Sequence, residues 1–277
     1  QITDGSFWPS TGGRFEYQWS PDGKWFALCF TGNKHDPYYD IGLVSAQGGK
    51  ITNLTNSGYT SGSPAWTMDG NAILFTSERY GMRNHASWGS MEDVFLCFVN
   101  QDAYDKYRLS KEDYELLKEV EKEVEKEQEK LKKGDKKEDT KKDEKASKDI
   151  NIELDGIQDR IVRLTPNSSS LGNAIIDKKG ENLYYTASFE KGMDLWKLDL
   201  RKKDVKLANK GVGYASFEMS KDGKTIFLLG GRMQKMDAAS GKLTPITYTA
   251  NLEMDLVAER EAMFNHVYQQ QKKRFYN

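Results

Sequence analysis

The stretch Tyr17-Gln18-Trp19-Ser20-Pro21-Asp22-Gly23-Lys24-Trp25-Phe26-Ala27-Leu28 decides the fold, because it recurs. An apolar strand runs into a turn with glycine and out into a second apolar strand, and the glycine supplies the positive φ the turn needs. The same layout returns at Pro64–Phe75 around Gly70, at Ala174–Tyr185 around Gly180 and at Phe217–Leu228 around Gly223. A third strand follows each hairpin at Asp40–Val44, Asp93–Leu96 and Asp194–Leu198, degenerating to Met233–Met236 in the last copy. Fourth strands carry similar words: Ile51-Thr52-Asn53-Leu54-Thr55, Ile161-Val162-Arg163-Leu164-Thr165, Val205-Lys206-Leu207 and Leu243-Thr244-Pro245-Ile246-Thr247. The turn glycines are 47, 110 and 43 positions apart. A blade of about 45 residues with four strands is the unit of a β-propeller, so the middle gap holds about 65 extra residues. Alternation with period two and frequent glycine exclude a helical solenoid.

The expected fold is therefore all-β, a propeller of four four-stranded blades at about 14–55, 62–165, 171–208 and 213–247, within a partial ring spanning 1–248. Ile2-Thr3-Asp4 reads as the tail of another fourth strand, surplus to a closed four-blade ring, so residues 1–4 are expected to end a missing blade of a larger ring. The chain opens at Gln1 rather than Met and stops at Asn277 inside a helical pattern, and both ends read as cut.

Residues 111–149 carry 28 charged side chains, 15 acidic and 13 basic. Outside them the charged fraction is that of an ordinary globular domain. Ser110-Lys111-Glu112-Asp113 resembles a capping box. Lys111 to about Lys133 reads as one charged helix with a thin stripe of Leu117, Val120, Val124 and Leu131, and 134–148 reads as disordered. The segment 103–149 is thus expected to be a solvated insertion in the second blade, with a partner-binding arm as the alternative. It joins strands three and four, which places it on the Asp-Gly turn end of the blades. Residues 252–277 read as the start of a following helical domain, with Phe264, Val267, Tyr268, Gln271 and Phe275 along one stripe.

Chemistry is sparse. The net charge of −1 and the mixed signs of the insertion point away from nucleic acid. No apolar run approaches the ~20 residues of a membrane span. Cys29 and Cys97 sit in apolar runs and read as buried small hydrophobes. There is no phosphate-binding glycine loop, no paired Cys or His metal spacing and no Gly-x-Ser-x-Gly elbow. No cofactor, metal or catalytic residue is expected. His35 and His85 occupy the loop between strands two and three in consecutive blades, flanked by Tyr38 and Tyr39 and by Arg83 and Trp88. These six residues form the candidate peptide- or domain-contact face, against the alternative of solvated loop histidines.

The words Phe75-Thr76-Ser77-Glu78-Arg79-Tyr80-Gly81, Asp93-Val94-Phe95 and Trp19-Ser20-Pro21-Asp22-Gly23-Lys24 resemble the repeat of TolB-type propellers, as do Tyr185-Thr186-Ala187-Ser188 with Asp194-Leu195-Trp196. Leu154–Arg160, placed before a blade's last strand, looks like the second propeller of tricorn-type proteases. Ala258–Phe264 with Tyr268–Tyr276 looks like the helix that follows it. The resemblance implies a propeller segment that gates or channels peptide to a serine peptidase core related to carboxy-terminal processing proteases. None of that family's catalytic positions matches this chain. The implied partners are peptide substrate and the remaining domains of the same chain, in an extracytoplasmic, periplasmic setting, with homo-oligomerisation left open. Two alternatives stand: the propeller of a prolyl-oligopeptidase-type enzyme, or a stand-alone TolB-like binding module.

Overall fold

A computed structural model describes residues 2–3, 15–32, 38–82, 90–134, 149–251 and 253–275. The chain divides into two units, Gln1–Pro245 and Ile246–Asn277.

The first unit holds four antiparallel sheets, each a meander in chain order. Sheet 1 contains β1 (Tyr17–Trp19), β2 (Trp25–Phe30), β3 (Asp40–Ser45) and β4 (Thr52–Asn53). Sheet 2 contains β5 (Ser61–Thr67), β6 (Ala72–Ser77), β7 (Asp93–Phe98) and β8 (Ile161–Arg163). Sheet 3 contains β9 (Ser170–Ile176), β10 (Asn182–Ser188), β11 (Asp194–Asp199) and β12 (Asp204–Asn209). Sheet 4 contains β13 (Ala215–Met219), β14 (Thr225–Gly230), β15 (Gln234–Asp237) and β16 (Leu243–Pro245). These are β-propeller blades that do not close into a ring.

The hairpin turns show why the repeated words fold this way. At Ser20–Lys24 the Gly23 N–H donates to the Ser20 carbonyl at 2.9 Å, with Gly23 at φ +69°. The Ser20 hydroxyl oxygen accepts the Trp25 N–H at 2.9 Å. Ser220 does the same for Thr225 at 3.0 Å, and in sheet 3 the Asp177 carboxylate accepts from the Glu181 N–H at 2.8 Å. Both serines are thus occupied by local backbone.

The sheets pack face to face, and register explains the seams. Counted from the turn glycine, the third and fifth residues face the preceding sheet and the fourth faces the following one. Ile73 and Phe75 pack with Ala27, Ile41 and Leu43 of sheet 1. Leu183 and Tyr185 pack with Leu74 and Leu96 of sheet 2. Ile226 and Leu228 pack with Tyr184 and Leu195 of sheet 3. The residue after each of the first two fourth strands, Leu54 and Leu164, is buried in the seam to the next sheet. Period-two alternation therefore loads both faces with apolar residues, as sheets buried on both sides require.

The expectation of a solvated insertion over 103–149 fails at its leading stem, and the segment that follows it packs as well. After β7 the chain forms α1 (Gln101–Arg108) and α2 (Lys111–Gly134). Asn100 caps α1 by accepting the Ala103 N–H at 2.8 Å, and Ser110 caps α2 by accepting the Asp113 N–H at 3.1 Å. Tyr104 and Tyr107 pack on Phe98, with ring centroids 5.7 and 5.0 Å away. Tyr114 is only 7% exposed, and the Arg201 guanidinium of sheet 3 lies 3.7 Å over its ring. Arg201 also donates to the carbonyls of Lys106 and Tyr107 at 3.0 and 2.7 Å, and Lys118 pairs with Glu181. The returning stem crosses toward sheet 1, where the Ile150 N–H donates to Asp22 at 3.0 Å and Lys24 pairs with Asp149 at 2.6 Å. A Cβ on Gly70 would collide with Ile150. Arg160, 5% exposed, donates to the carbonyls of Phe98, Asp155 and Glu153. Tyrosines and a buried arginine overrule the charged composition here, since each brings apolar area and a satisfied polar end.

In the second unit α3 (Leu256–Arg274) is capped by Asp255, which accepts from the Val257 and Ala258 N–H groups at 3.0 and 3.1 Å. Nothing on it is buried.

Candidate functional site

Of the six residues expected at the contact face, His35, Arg83, His85 and Trp88 lie outside the described residues. Tyr38 and Tyr39 are described. Both are half-buried just ahead of β3, and the Tyr39 carbonyl accepts the Ser61 N–H at 2.7 Å, tying this loop to the start of β5.

An aspartate at the start of the third strand in sheets 1, 2 and 3 organises this end of those blades. Asp40 accepts from the Thr55 hydroxyl at 2.6 Å, from Asn53 Nδ2 at 2.8 Å and from the Ser57 N–H at 3.2 Å. Asp93, fully buried, accepts from Thr165 at 2.7 Å, Ser168 at 2.7 Å and Arg163 at 2.9 Å. Asp194 accepts the Gly211 N–H at 2.7 Å. Each carboxylate ties the third strand to the segment leaving the fourth. Buried charge is tolerated because several donors converge on it. The repeated Asp and Leu-Thr words are thus two halves of one clasp.

Beside the Asp93 clasp stands a group that the sequence reading did not select. Tyr80, about half exposed, stacks on Phe95 with centroids 6.0 Å apart. The guanidinium groups of Arg79 and Arg163 lie 5.6 and 5.1 Å from its ring centre. Met82 and Met91 are exposed on the same connection between β6 and β7. In the sequence Arg79-Tyr80 falls inside the repeat word Phe75–Gly81. Arg163 joins it through β8, across the whole insertion, and only its place after Ile161-Val162 hinted at it.

A carboxylate group borders this patch. Burial pushes the Glu92 carboxyl above the usual carboxylate range, Glu78, Glu16 and Asp93 add to the rise, and a hydrogen bond from Thr76 at 3.3 Å opposes it. Glu16 is held across the seam by the Ser63 N–H at 2.9 Å. The thiol of Cys29 is pushed up to about 12 by burial, then by Glu16 and Asp40. Cys97 is likewise pushed up to about 12 by burial. Such thiols stay protonated at neutral pH and make poor nucleophiles.

The arrangement is suited to contact. Aromatic faces, arginines and methionines offer stacking and adaptable apolar area, and carboxylates offer acceptors for backbone N–H groups. Among the described residues no serine is hydrogen-bonded to a histidine, and no helix is long and apolar enough to cross a membrane. His266 lies on α3, in the other unit.

No protein-family model matches the sequence, and no curated protein matches it. Among solved structures the chain is similar to the tricorn protease, with 12% identity and a TM-score of 0.62 over 95% of this chain and 25% of that one. It is also similar to TolB from Acinetobacter baumannii, with 14% identity and a TM-score of 0.49 over 82% and 42% of the two chains. A puromycin-hydrolyzing peptidase of Mycobacterium tuberculosis gives 11% identity and a TM-score of 0.46 over 84% and 28%. This chain spans about a quarter of the tricorn protease chain it matches. At that identity the tricorn likeness establishes the fold, a β-propeller.

Proposed function

We propose that this chain is the non-catalytic propeller part of a tricorn-like serine peptidase, gating or channelling peptide toward a catalytic domain outside residues 1–277. The observation that carries the reading is the patch of Arg79, Tyr80, Met82, Met91 and Arg163 on the loop end of sheet 2. Interfaces that recognise polypeptide are enriched in Tyr, Met and Arg. The other end of sheet 2 is occupied by the stems of the insertion. The fold shared with the tricorn protease over 95% of this chain supports the same reading.

Catalysis needs a nucleophile beside a base and donors aimed at the developing oxyanion, and the serines of the hairpins are engaged with local backbone. On this reading hydrolysis belongs to a serine located after residue 277. The test is incubation of residues 1–277 and of the full-length protein with a fluorogenic peptide library and a serine-directed covalent probe. The expected result is cleavage and labelling by the full-length protein alone. Labelling of residues 1–277 overturns the non-catalytic assignment. A full-length protein that neither labels nor cleaves favours a stand-alone binding module.

A further inference from the structure

The β9–β10 turn breaks the repeat at one position, and the residue that breaks it lines a cavity. The residue before the turn glycine is Asp22, Asp69 and Asp222 in sheets 1, 2 and 4, and Lys179 in sheet 3. Asp22 and Asp222 use their carboxylates inside the turn, each accepting the N–H two residues on, at 3.1 and 3.0 Å. Lys179 has no acceptor to offer, and in sheet 3 Asp177 caps the turn. Lys179 lines a cavity of about 210 Å³ together with Lys178, Arg201 from the β11–β12 turn and Lys106 from α1. Glu121 pairs with Lys106 at 2.6 Å, and Asp69 is the one carboxylate among the described residues of the wall. The guanidinium of Arg201 and the amines of Lys178 and Lys179 have no carboxylate partner among the described residues. With Glu121 and Asp69 each offsetting one of the four cations, a surplus of two positive charges remains. Arg201 is held through Nη1 by the carbonyls of Lys106 and Tyr107, and its enclosed Nε has no hydrogen-bond partner among the described residues. The crowding of charge is felt at Lys203, whose amine donates to the Tyr107 hydroxyl. Burial holds Lys203 below the usual lysine range, the Arg201 charge lowers it further and Asp199 opposes.

A concave site lined by one sign of charge, with low-dielectric walls, concentrates counter-ions. Arginine and lysine are the side chains that hold phosphate oxygens, through short charge-assisted hydrogen bonds. Charge and size then select the ligand. A single carboxylate leaves one cation unanswered, whereas a surplus of two matches a dianion. The cavity of about 210 Å³ is smaller than the roughly 300–1,000 Å³ of sites for drug-sized molecules. It therefore suits a phosphate group with at most a small substituent, for which Phe98 and Tyr107 supply an apolar wall. We propose that this cavity binds a phosphate dianion, free or as a small phosphate ester, held by Lys178, Lys179 and Arg201. Bound there, the anion joins the stem of the insertion to the β9–β10 turn. The cavity includes the β5–β6 turn at Asp69, whereas Tyr80 lies on the β6–β7 connection at the other end of sheet 2. The inference thus stands apart from the peptidase reading.

Thermal melting of the full-length protein tests it at about pH 8, where phosphate is a dianion, with chloride and acetate as controls at matched ionic strength. Inorganic phosphate and phenyl phosphate are each expected to raise the melting temperature saturably, by about 3 °C at ten times the half-saturating concentration. The double variant Lys178→Met/Lys179→Met keeps both apolar stems at exposed positions, so the fold is retained. It is expected to raise the half-saturating concentration at least about tenfold. Acylation by an N-hydroxysuccinimide ester, read by mass spectrometry, places the site. Saturating phosphate should slow modification of Lys178 and Lys179 at least about threefold and leave Lys235 on β15 unchanged. A tighter response to phenyl phosphate assigns an ester as the source, and an equal one assigns free phosphate. A response to acetate equal to that to phosphate overturns the proposal. So does a non-saturating rise shared by the double variant, which is the general effect of an excluded salt. Lys178 and Lys179 left unprotected at saturating phosphate overturn it as well.

Discussion

Two helical regions of this chain read alike in sequence and behave oppositely in the structure. The stem of the insertion, α1 and the first turns of α2, is dominated by charge and has a thin apolar stripe. It nevertheless buries Tyr114 and lays Tyr104 and Tyr107 on Phe98. Helix α3 carries the richer apolar set, with Val257, Met263, Phe264, Val267 and Tyr268, and exposes all of it, Phe264 at 71%. Amphipathic pattern shows which face of a helix can pack. Whether it does depends on a partner presenting complementary groups, which Arg201 and Glu181 do for the stem.

The strongest way to break that contrast is to remove the stem. Replacing residues 106–148 with a short Gly/Ser linker takes away Tyr107, Tyr114 and the acceptors of Arg201. The expected loss is about 3 kcal/mol or more in denaturant unfolding of the first unit. A loss under about 0.5 kcal/mol would return the whole insertion to the status of a solvated loop, because lengthening or shortening such a loop costs little.

Tyr114→Ala isolates the central contact. It deletes a buried ring and one side of a cation–π pair at 3.7 Å. An expected destabilisation of about 2–3 kcal/mol follows from the burial and the lost stacking. Circular dichroism melting of Tyr114→Phe alongside it separates the ring from its hydroxyl, and the phenylalanine variant should stay within about 1 kcal/mol of the parent protein.

Arg201→Gln sharpens the comparison from the sheet side. Its two hydrogen bonds run to the carbonyls of Lys106 and Tyr107, so an expected loss of about 1–2 kcal/mol reflects charge-assisted bonding together with the cation–π contact. In a double-mutant cycle with Tyr114→Ala, the two losses should add to more than the double variant shows.

The smallest effects are expected at exposed side chains. Phe264→Ser on α3, and replacement of 119–148 alone, should each change the unfolding free energy of the first unit by less than about 0.5 kcal/mol. A larger change from the 119–148 replacement would extend the packed stem further along α2.

Much of the proposed contact face escaped a reading of the sequence for a related reason. Tyr38 and Tyr39 were visible because they crowd one loop. Arg79, Tyr80 and Arg163 were not, since Arg163 reaches Tyr80 only after the β7–β8 pairing carries it past the entire insertion. The aspartate clasps were half legible. Asp40 with Thr55 and Asp93 with Thr165 each repeat as words, and only the sheet shows them meeting at 2.6 and 2.7 Å.

By itself the sequence determined the four sheets, their strand order and their turns. Hairpins are local, so glycine at a position of positive φ, a capping Ser or Asp, and period-two alternation specify them within about a dozen residues. Tertiary structure alone decided that the charged excursion after β7 bridges sheets 1, 2 and 3 through its two stems. The groups responsible, Arg201 with Tyr114 and Asp22 with Ile150, lie far apart along the chain. Tyrosine and arginine suit both solvent and a seam, so their residue type leaves open which one they occupy.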